Sequence, residues 1–585
     1  MEMFNHLHAN VNNNLTSVCT ASVCAAGALF LFLKWINKQK IQKKILKARK
    51  RRDKSFHEAK QAVQQFKISN PDFEGSVIVS LSLPELIEKL KDGSLQPDAV
   101  LHAFMEKALQ VNDKLNCNTQ MLMGSVEQLK DIKTQQKGLL YGIPISIKEN
   151  LGYKGHDSTC GVLSKIDQPA LMDSVVVAVL KRQGAIPFVK TNVPQGLLSY
   201  DCCNPIYGQT LNPHNLQKTP GGSSGGEGAL IGGGGSILGL GTDLAGSVRI
   251  PSAFCGICGL KPTSNRISLR GASSCNKGQK SVLSSIGPMA RDVESLALLM
   301  QALLCEDMFT LDPTVPPIPF NREVYESSEP LRIGYYEVDG NFQPSPSTAR
   351  AFRETKHLLE RAGHTLIPFK PPRITTAANE LMIKGILADG GATLLKNIGK
   401  PIDPTLQSQL MPYRLPNFIK KILSVILKPI YPRISASLNS ICGLRSIPEL
   451  WQQHTQVEEY IHEVFAEWRR LNLDVLLCPM LGPAYNFFYC GKLNSVLSIT
   501  GLSNLLNFPA GTVPVSKVTE EDEAQLKHYK GCHSDLWDKL FVKAVTGGVG
   551  LPVGVQCVSL PWQEEMCLRF MREVEMLTAK NKLNK

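Results

Sequence analysis

Short apolar runs alternate with stretches whose apolar residues recur every three or four positions through much of the chain. Ile143 to Ile147, Ile186 to Val189, Ile237 to Leu240, Val475 to Cys478 and Pro552 to Val558 predict buried strands. Ser174 to Arg182 and Val293 to Leu304 carry helical spacing. Upstream, Ser82-Leu83-Pro84-Glu85 has the capping-box pattern and opens a short helix that Gly93 closes. A second helix follows from Pro97 into Gln110. This alternation predicts an α/β body around a largely buried sheet, with no internal repeat.

Two stretches break the pattern. Leu15 to Leu33 runs 19 residues without an Asp, Glu, Lys, Arg or His and ends in Leu29-Phe30-Leu31-Phe32-Leu33. As a helix it would span roughly 28 Å at about 1.5 Å per residue, close to a bilayer's hydrocarbon thickness. No Lys or Arg precedes it, unlike a signal peptide, and eleven basic residues follow it, unlike a core helix. It is expected to be a transmembrane helix, with the body on the cytoplasmic side of its basic flank. The second stretch lies near residue 420, where Leu415, Phe418, Ile419, Ile422, Leu423, Ile426, Leu427 and Ile430 share one helix face. Arg414, Lys420, Lys421, Lys428 and Arg433 surround that face, and Pro412, Pro416, Pro429 and Pro432 bound two short helices. Periodicity alone permits a core-packing helix, but the neighbouring membrane anchor favours an interfacial pair dipping into lipid. The expected organisation is a tail (1–14), the span (15–33), a basic juxtamembrane segment and linker (34–80) and a catalytic body (81–580) with a membrane-interacting cap (410–435).

Composition narrows the classes. The 585 residues are 43% hydrophobic with 46 Gly, 36 Pro and 16 Cys, which excludes a disordered chain, a coiled coil and a small disulfide module. The net charge of +13 is local: Lys34 to Lys54 carries +10, the helix pair +5, and everything else −2. No dispersed basic face is left for nucleic acid. Cys255-Gly256-Ile257-Cys258 is a lone CxxC and reads as a buried structural pair rather than a zinc site. With no HExxH and no Walker A loop, no metal or cofactor is expected.

Thr219 to Ser252, TPGGSSGGEGALIGGGGSILGLGTDLAGSVRIPS, holds the candidate chemistry. Its glycines let a ligand approach backbone N–H groups closely, as an oxyanion hole requires. Patterns of the form G-x-S-x-G pass through Ser223 and Ser224, but Gln217 to Pro220 is no buried strand, so a nucleophile elbow is poorly supported. The whole stretch is more specific. GGSSGG followed by GTDLAGSVRIPS, with Lys148 ending the apolar run Gly142-Ile143-Pro144-Ile145-Ser146-Ile147, resembles the amidase signature family. The resemblance extends from about Leu81 to the chain's end, through Phe254 to Thr263, Ala290 to Leu296 and Trp562 to Glu565. With the N-terminal anchor and the helix pair, it is similar to the family's membrane-bound animal branch.

The resemblance implies an amidase-signature fold, a central twisted mixed β-sheet surrounded by helices. It implies Ser247 as nucleophile, Ser223 as bridging serine and Lys148 as general base, with the amides of Leu244, Ala245, Gly246 and Ser247 facing the oxyanion. Burial without a carboxylate partner would keep Lys148 neutral. Asp243 and Arg249 are expected to brace the loop, and Glu149 is an unreliable base. Ala245 stands where Gly is commoner. Leu197 and Leu198 stand where aromatic residues or Met often line the acyl channel. Further implications are fatty acid amide substrates, a phospholipid membrane, a homodimer, no nucleic acid, and an endoplasmic reticulum or Golgi location. Two alternatives are an amidotransferase acting on aminoacyl-tRNA, disfavoured by the anchor and near-neutral body, and a lipid carrier on an inactive amidase fold, disfavoured by the complete triad.

Overall fold

The computed structural model describes residues 2–132, 138–493 and 498–583, with side chains described at residue 22 and from residue 24 onward. The chain divides into two compact units, Met1–Arg51 and Arg52–Lys585.

Helix α1 (Glu2–Ser69) runs continuously through the expected tail and span. Leu29, Phe30, Leu31, Phe32, Leu33 and Trp35 are exposed. Among the described residues no helix is long and apolar enough to cross a membrane, and the first part of the predicted span lies outside the described side chains. The expected linker is corrected. Residues 34–69 are helical, because Lys, Arg, Gln and Ala are good helix formers even where net charge is high. Gly75–Ser80 is a further short helix. Ala59, Val63 and Ile78 are buried in the core of the second unit, so the body begins near Arg52 rather than at residue 81.

In the body, α2 (Leu83–Asp92) forms as the sequence predicts. Ser82 and Glu85 cap it reciprocally, and Gly93 closes it at φ 82°. Helix α3 (Pro97–Leu115) packs on the sheet that follows. The strands of the main sheet are β1 (Asn118–Met121), β2 (Pro144–Lys148), β3 (Ile186–Thr191), β4 (Leu238–Asp243), β5 (Cys258–Lys261), β6 (Ser285–Ala290), β7 (Arg332–Tyr335), β8 (Thr365–Pro368), β9 (Val475–Pro479), β10 (Ala510–Lys517) and β11 (Pro552–Val558). They form one mixed sheet in the order β1-β3-β2-β4-β6-β5-β10-β11-β9-β7-β8. Strand β2 lies between β3 and β4, parallel to both, and all five of its residues are buried, which explains its unbroken apolar run. Because β2 and β4 are parallel neighbours, their C-terminal ends, Lys148 and Asp243, emerge side by side, where α/β sheets place ligands. Helices α4 (Gly225–Gly232) and α5 (Arg249–Cys255) flank β4 in sequence and pack against each other. The Cys255 and Cys258 thiols are both buried and turn to separate partners, the Pro220 carbonyl and Glu575.

The cap consists of α6 (Pro404–Arg414), α7 (Asn417–Leu427) and α8 (Pro432–Ser440). Pro412 lies inside α6 rather than ending it, whereas Pro416 and Pro432 do mark helix starts. The face of α7 is oriented outward. Phe418, Ile422, Val425 and Ile426 are between 54% and 74% exposed, while Lys420 and Ser424 are buried. Lys420 donates to Asn417 Oδ1 at 3.1 Å and to the Ile441 carbonyl at 3.2 Å. Arg433 is buried too, paired with Asp535 at 2.6 Å and Asp538 at 2.9 Å. Two of the five expected surface charges are therefore internal, and Arg433 is a buried ion pair whose acids lie a hundred residues downstream.

Candidate active site

Lys148 is fully buried at the end of β2. Its Nζ lies 2.7 Å from Ser223 Oγ, 2.8 Å from Thr242 Oγ1 and 3.2 Å from the Thr242 carbonyl. Burial pushes its ammonium down to about 7, against the opposing field of Asp243. A neutral amine has two N–H donors and one lone pair. Thr242 offers two acceptors, so the lone pair is left facing the Ser223 hydroxyl. Thr242 thus orients the base, a role that sequence reasoning missed although the residue sits one position before Asp243 in the glycine-rich stretch. Glu227, also missed, lies close by on α4. Burial pushes its carboxyl up to about 7, opposed by the Ser146 and Thr191 hydroxyls that donate to it at 2.6 and 2.7 Å.

Ser223 precedes α4, and Ser247 lies in the turn between β4 and α5. The two segments are stitched together where the Ser224 amide donates to the Ser247 carbonyl at 3.1 Å. Both serines line one cavity of about 330 Å³, together with Thr242, Leu244, Leu197 and Leu198.

The turn 243–248 is held from beneath. Burial works against the Asp243 carboxylate, but the paired Arg249 guanidinium and donated amides hold it well below the usual range. Arg249 binds both Asp243 oxygens, at 3.0 and 3.1 Å, and also reaches Thr500, Ser503, Asn504 and Gln556. The bracing role expected for this pair is what the geometry provides. Glu149 turns away from Lys148 and accepts from the Thr159 amide and hydroxyl and the Cys160 amide, which leaves it a loop brace.

The structure refines the expected oxyanion donors. The Gly246 amide donates to Asp243 Oδ1 at 2.7 Å, so it is already engaged. Among the described residues the Leu244, Ala245 and Ser247 amides have no such protein acceptor. Ala245 and Gly246 do not line the cavity. Gly246 sits at φ 120°, and a Cβ there would come within 2.5 Å of Thr500 Oγ1, the hydroxyl that holds the Ala245 carbonyl at 2.6 Å. Gly246→Ala should therefore displace the turn and lower kcat on the order of 10²–10³-fold, the usual scale for a lost oxyanion donor, with KM less affected. A steady-state assay checks it.

Residues 99–568 match the amidase family. The chain belongs to that family. This amidase is 52% identical to fatty-acid amide hydrolase 1 of Sus scrofa over 560 residues, 96% of each chain. It is 38% identical to fatty acid amide hydrolase 1 of Caenorhabditis elegans, over 94% of this amidase and 97% of that protein. A solved fatty acid amide hydrolase structure superposes on it with a TM-score of 0.76 at 26% identity, covering 92% of this amidase and 95% of that chain.

Proposed function

We propose that this amidase hydrolyses long-chain fatty acid amides, N-acylethanolamines and primary amides, to a fatty acid and an amine or ammonia. The observation that carries the substrate class is an apolar continuity. Leu197, Leu198, Ile386 and Leu394 line the cavity and belong to the same apolar cluster as Leu423 and Leu427 of the cap helix α7. An acyl chain lying along that cluster brings its carbonyl to Ser247.

The chemistry follows from the donors and acceptors in place. Neutral Lys148 draws the Ser223 proton, and Ser223 takes one from Ser247 as that oxygen attacks the amide carbonyl. The oxyanion is met by the amides of Leu244 and Ser247, the residues of the turn that line the cavity. The proton returns through Ser223 to the amine, which leaves only when protonated. Water then attacks the acyl-enzyme, with the same three side chains moving its proton.

Membrane attachment is part of this reading. Its supports are the exposed face of α7 and the apolar run 15–33 with its basic flank, which favours a cytoplasmic body. A homodimer on an endoplasmic reticulum or Golgi membrane belongs to the same reading through the family resemblance. Replacing Ile422 and Ile426 together with Asp should reduce sedimentation of the body with phosphatidylcholine vesicles while leaving hydrolysis of a soluble short-chain ester intact. Unchanged sedimentation would remove α7 from the interface.

The substrate reading is tested with saturated acyl amides of increasing length. Each methylene buried contributes up to about 0.8 kcal/mol, so kcat/KM should rise by up to roughly fourfold per methylene until the cavity is filled. A flat profile would overturn the long-chain assignment.

A further inference from the structure

Asp243 holds the turn 243–248 through the Gly246 and Val248 amides, while a carbonyl of the same turn is held by a residue 255 positions downstream. That residue, Thr500, lies on α9 (Ser498–Leu505), a helix whose residues are all buried. Arg249 ties α9 to the turn, donating to the Thr500 carbonyl at 2.8 Å, Ser503 Oγ at 2.6 Å and Asn504 Oδ1 at 2.7 Å. Asn504 Nδ2 donates back to Asp243 Oδ1 at 3.1 Å. At the other end of α9, Ser498 donates to Asp339 Oδ2 at 2.7 Å and accepts from Asn341 Nδ2 at 3.1 Å. The Asn341 carbonyl accepts in turn from Arg433 of the cap helix α8 at 2.7 Å. With α9 anchored on both sides, the Thr500 hydroxyl has a fixed position beneath the turn.

That hydroxyl donates to the Ala245 carbonyl at 2.6 Å. The N–H of the same peptide unit, on Gly246, donates to Asp243 Oδ1 at 2.7 Å. A peptide unit is planar, so anchors on its carbonyl and on its N–H together set the orientation of the plane. Sterics alone would not set it. Gly246 sits at φ 120°, where the lack of a Cβ lets the backbone rotate readily, so the 245–246 plane stays in place because both ends are hydrogen-bonded. Among the described residues no backbone amide donates to the Ala245 carbonyl. The orientation of this plane governs where the next unit, which carries the Ser247 N–H, points.

We propose that Thr500 is a positioning residue for the reaction. By holding the Ala245–Gly246 peptide, its hydroxyl aims the Leu244 and Ser247 amides at the oxyanion. Thr500 does not line the cavity, so it acts through the turn rather than on the substrate. Without the hydroxyl, the Ala245 carbonyl loses its partner, and rotation of the peptide towards another donor relieves that loss. A displacement of about 1 Å at a reacting centre costs on the order of 10²-fold in rate. The proposal rests on Ser247 as the nucleophile and is independent of which amide the site cleaves.

The test compares Thr500→Val, which keeps the shape and removes the donor, with Thr500→Ser, which keeps the donor. Arg249, Asp243 and Asn504 still join α9 to the turn in both, so each should unfold near the thermal midpoint of the parent. Thr500→Val should lower kcat on an acyl amide by about 10–10²-fold, with KM within about threefold of the parent. Fluorophosphonate labelling of Ser247, which needs no acyl amide, should slow by a similar factor. Thr500→Ser should bring both rates back to within about threefold of the parent, because the hydroxyl is restored. The proposal is overturned if Thr500→Val labels and turns over as fast as the parent, or if Thr500→Ser is as slow as Thr500→Val. A rise in KM at unchanged kcat, or loss of the thermal transition in Thr500→Val, would likewise overturn it. A parent protein in which Ser247 is not labelled would instead refute the nucleophile assignment, and the proposal would fall with it.

Discussion

Ser247→Ala should leave a folded protein whose amide hydrolysis falls on the order of a million-fold, the scale seen when a serine hydrolase loses its nucleophile. No other group can take over the attack. Ser223 shares the cavity, but its oxygen is 2.7 Å from Lys148 Nζ and serves to pass the proton. The substitution removes one oxygen at a half-buried turn position whose backbone is held by Asp243, Thr500 and the Ser224 amide, so the fold should persist. Labelling by a fluorophosphonate should vanish with activity, while the thermal midpoint stays near that of the parent. Residual labelling at Ser223 would show that the two serines have exchangeable roles.

Lys148→Ala should cost on the order of 10²–10⁴ in kcat, the range for a positioned general base. It should also change the shape of the pH profile. Only the neutral amine accepts the Ser223 proton. Because burial brings Lys148 down to about 7, kcat/KM of the parent should fall about tenfold per pH unit below that value and level off above it. The variant should lose this inflection. Glu227 also titrates near about 7, so it is the natural competitor for the assignment. Glu227→Gln keeps an amide oxygen as acceptor for one of the Ser146 and Thr191 hydroxyls, removes the titrating carboxyl and should retain the inflection. If Glu227→Gln abolishes it and Lys148→Ala does not, the base has been misassigned.

Much of the site was legible in the sequence because its chemistry is carried by local patterns. The apolar run ending at Lys148, the paired serines at 223 and 224 and the turn 243–249 each fix a backbone geometry within a few residues. The fold then only has to place β2 beside β4. The Ser82–Glu85 box and Gly93 were legible for the same reason: a helix terminus is satisfied by its own neighbours. Contacts distant in sequence were not legible. Nothing near Arg433 announces Asp535 and Asp538, so a buried ion pair read as a surface charge. The α7 period was right, but a helical period does not say whether its apolar face meets a core or solvent, and here Lys420 and Ser424 face inward. Strands β5 and β6 escaped notice because Gly259, Gly287 and Pro288 interrupt their apolar pattern. A Cβ at Gly287 would collide with the Leu260 carbonyl of the adjacent strand, so the sheet requires the residue that hid the strand. Thr242 and Glu227 are ordinary residue types, and their roles appear only once Lys148 lies beside them.

The central claim is that a Lys148-activated Ser247 forms an acyl-enzyme with a fatty acyl group. Rapid quenching of the protein with a long-chain acyl amide or ester, followed by peptide mass spectrometry, reads that claim directly. The account predicts the fatty acyl mass on the peptide containing Ser247, and its disappearance in Ser247→Ala. Acyl transfer to a different residue, or turnover with no acylated peptide while Ser247→Ala remains active, would contradict it.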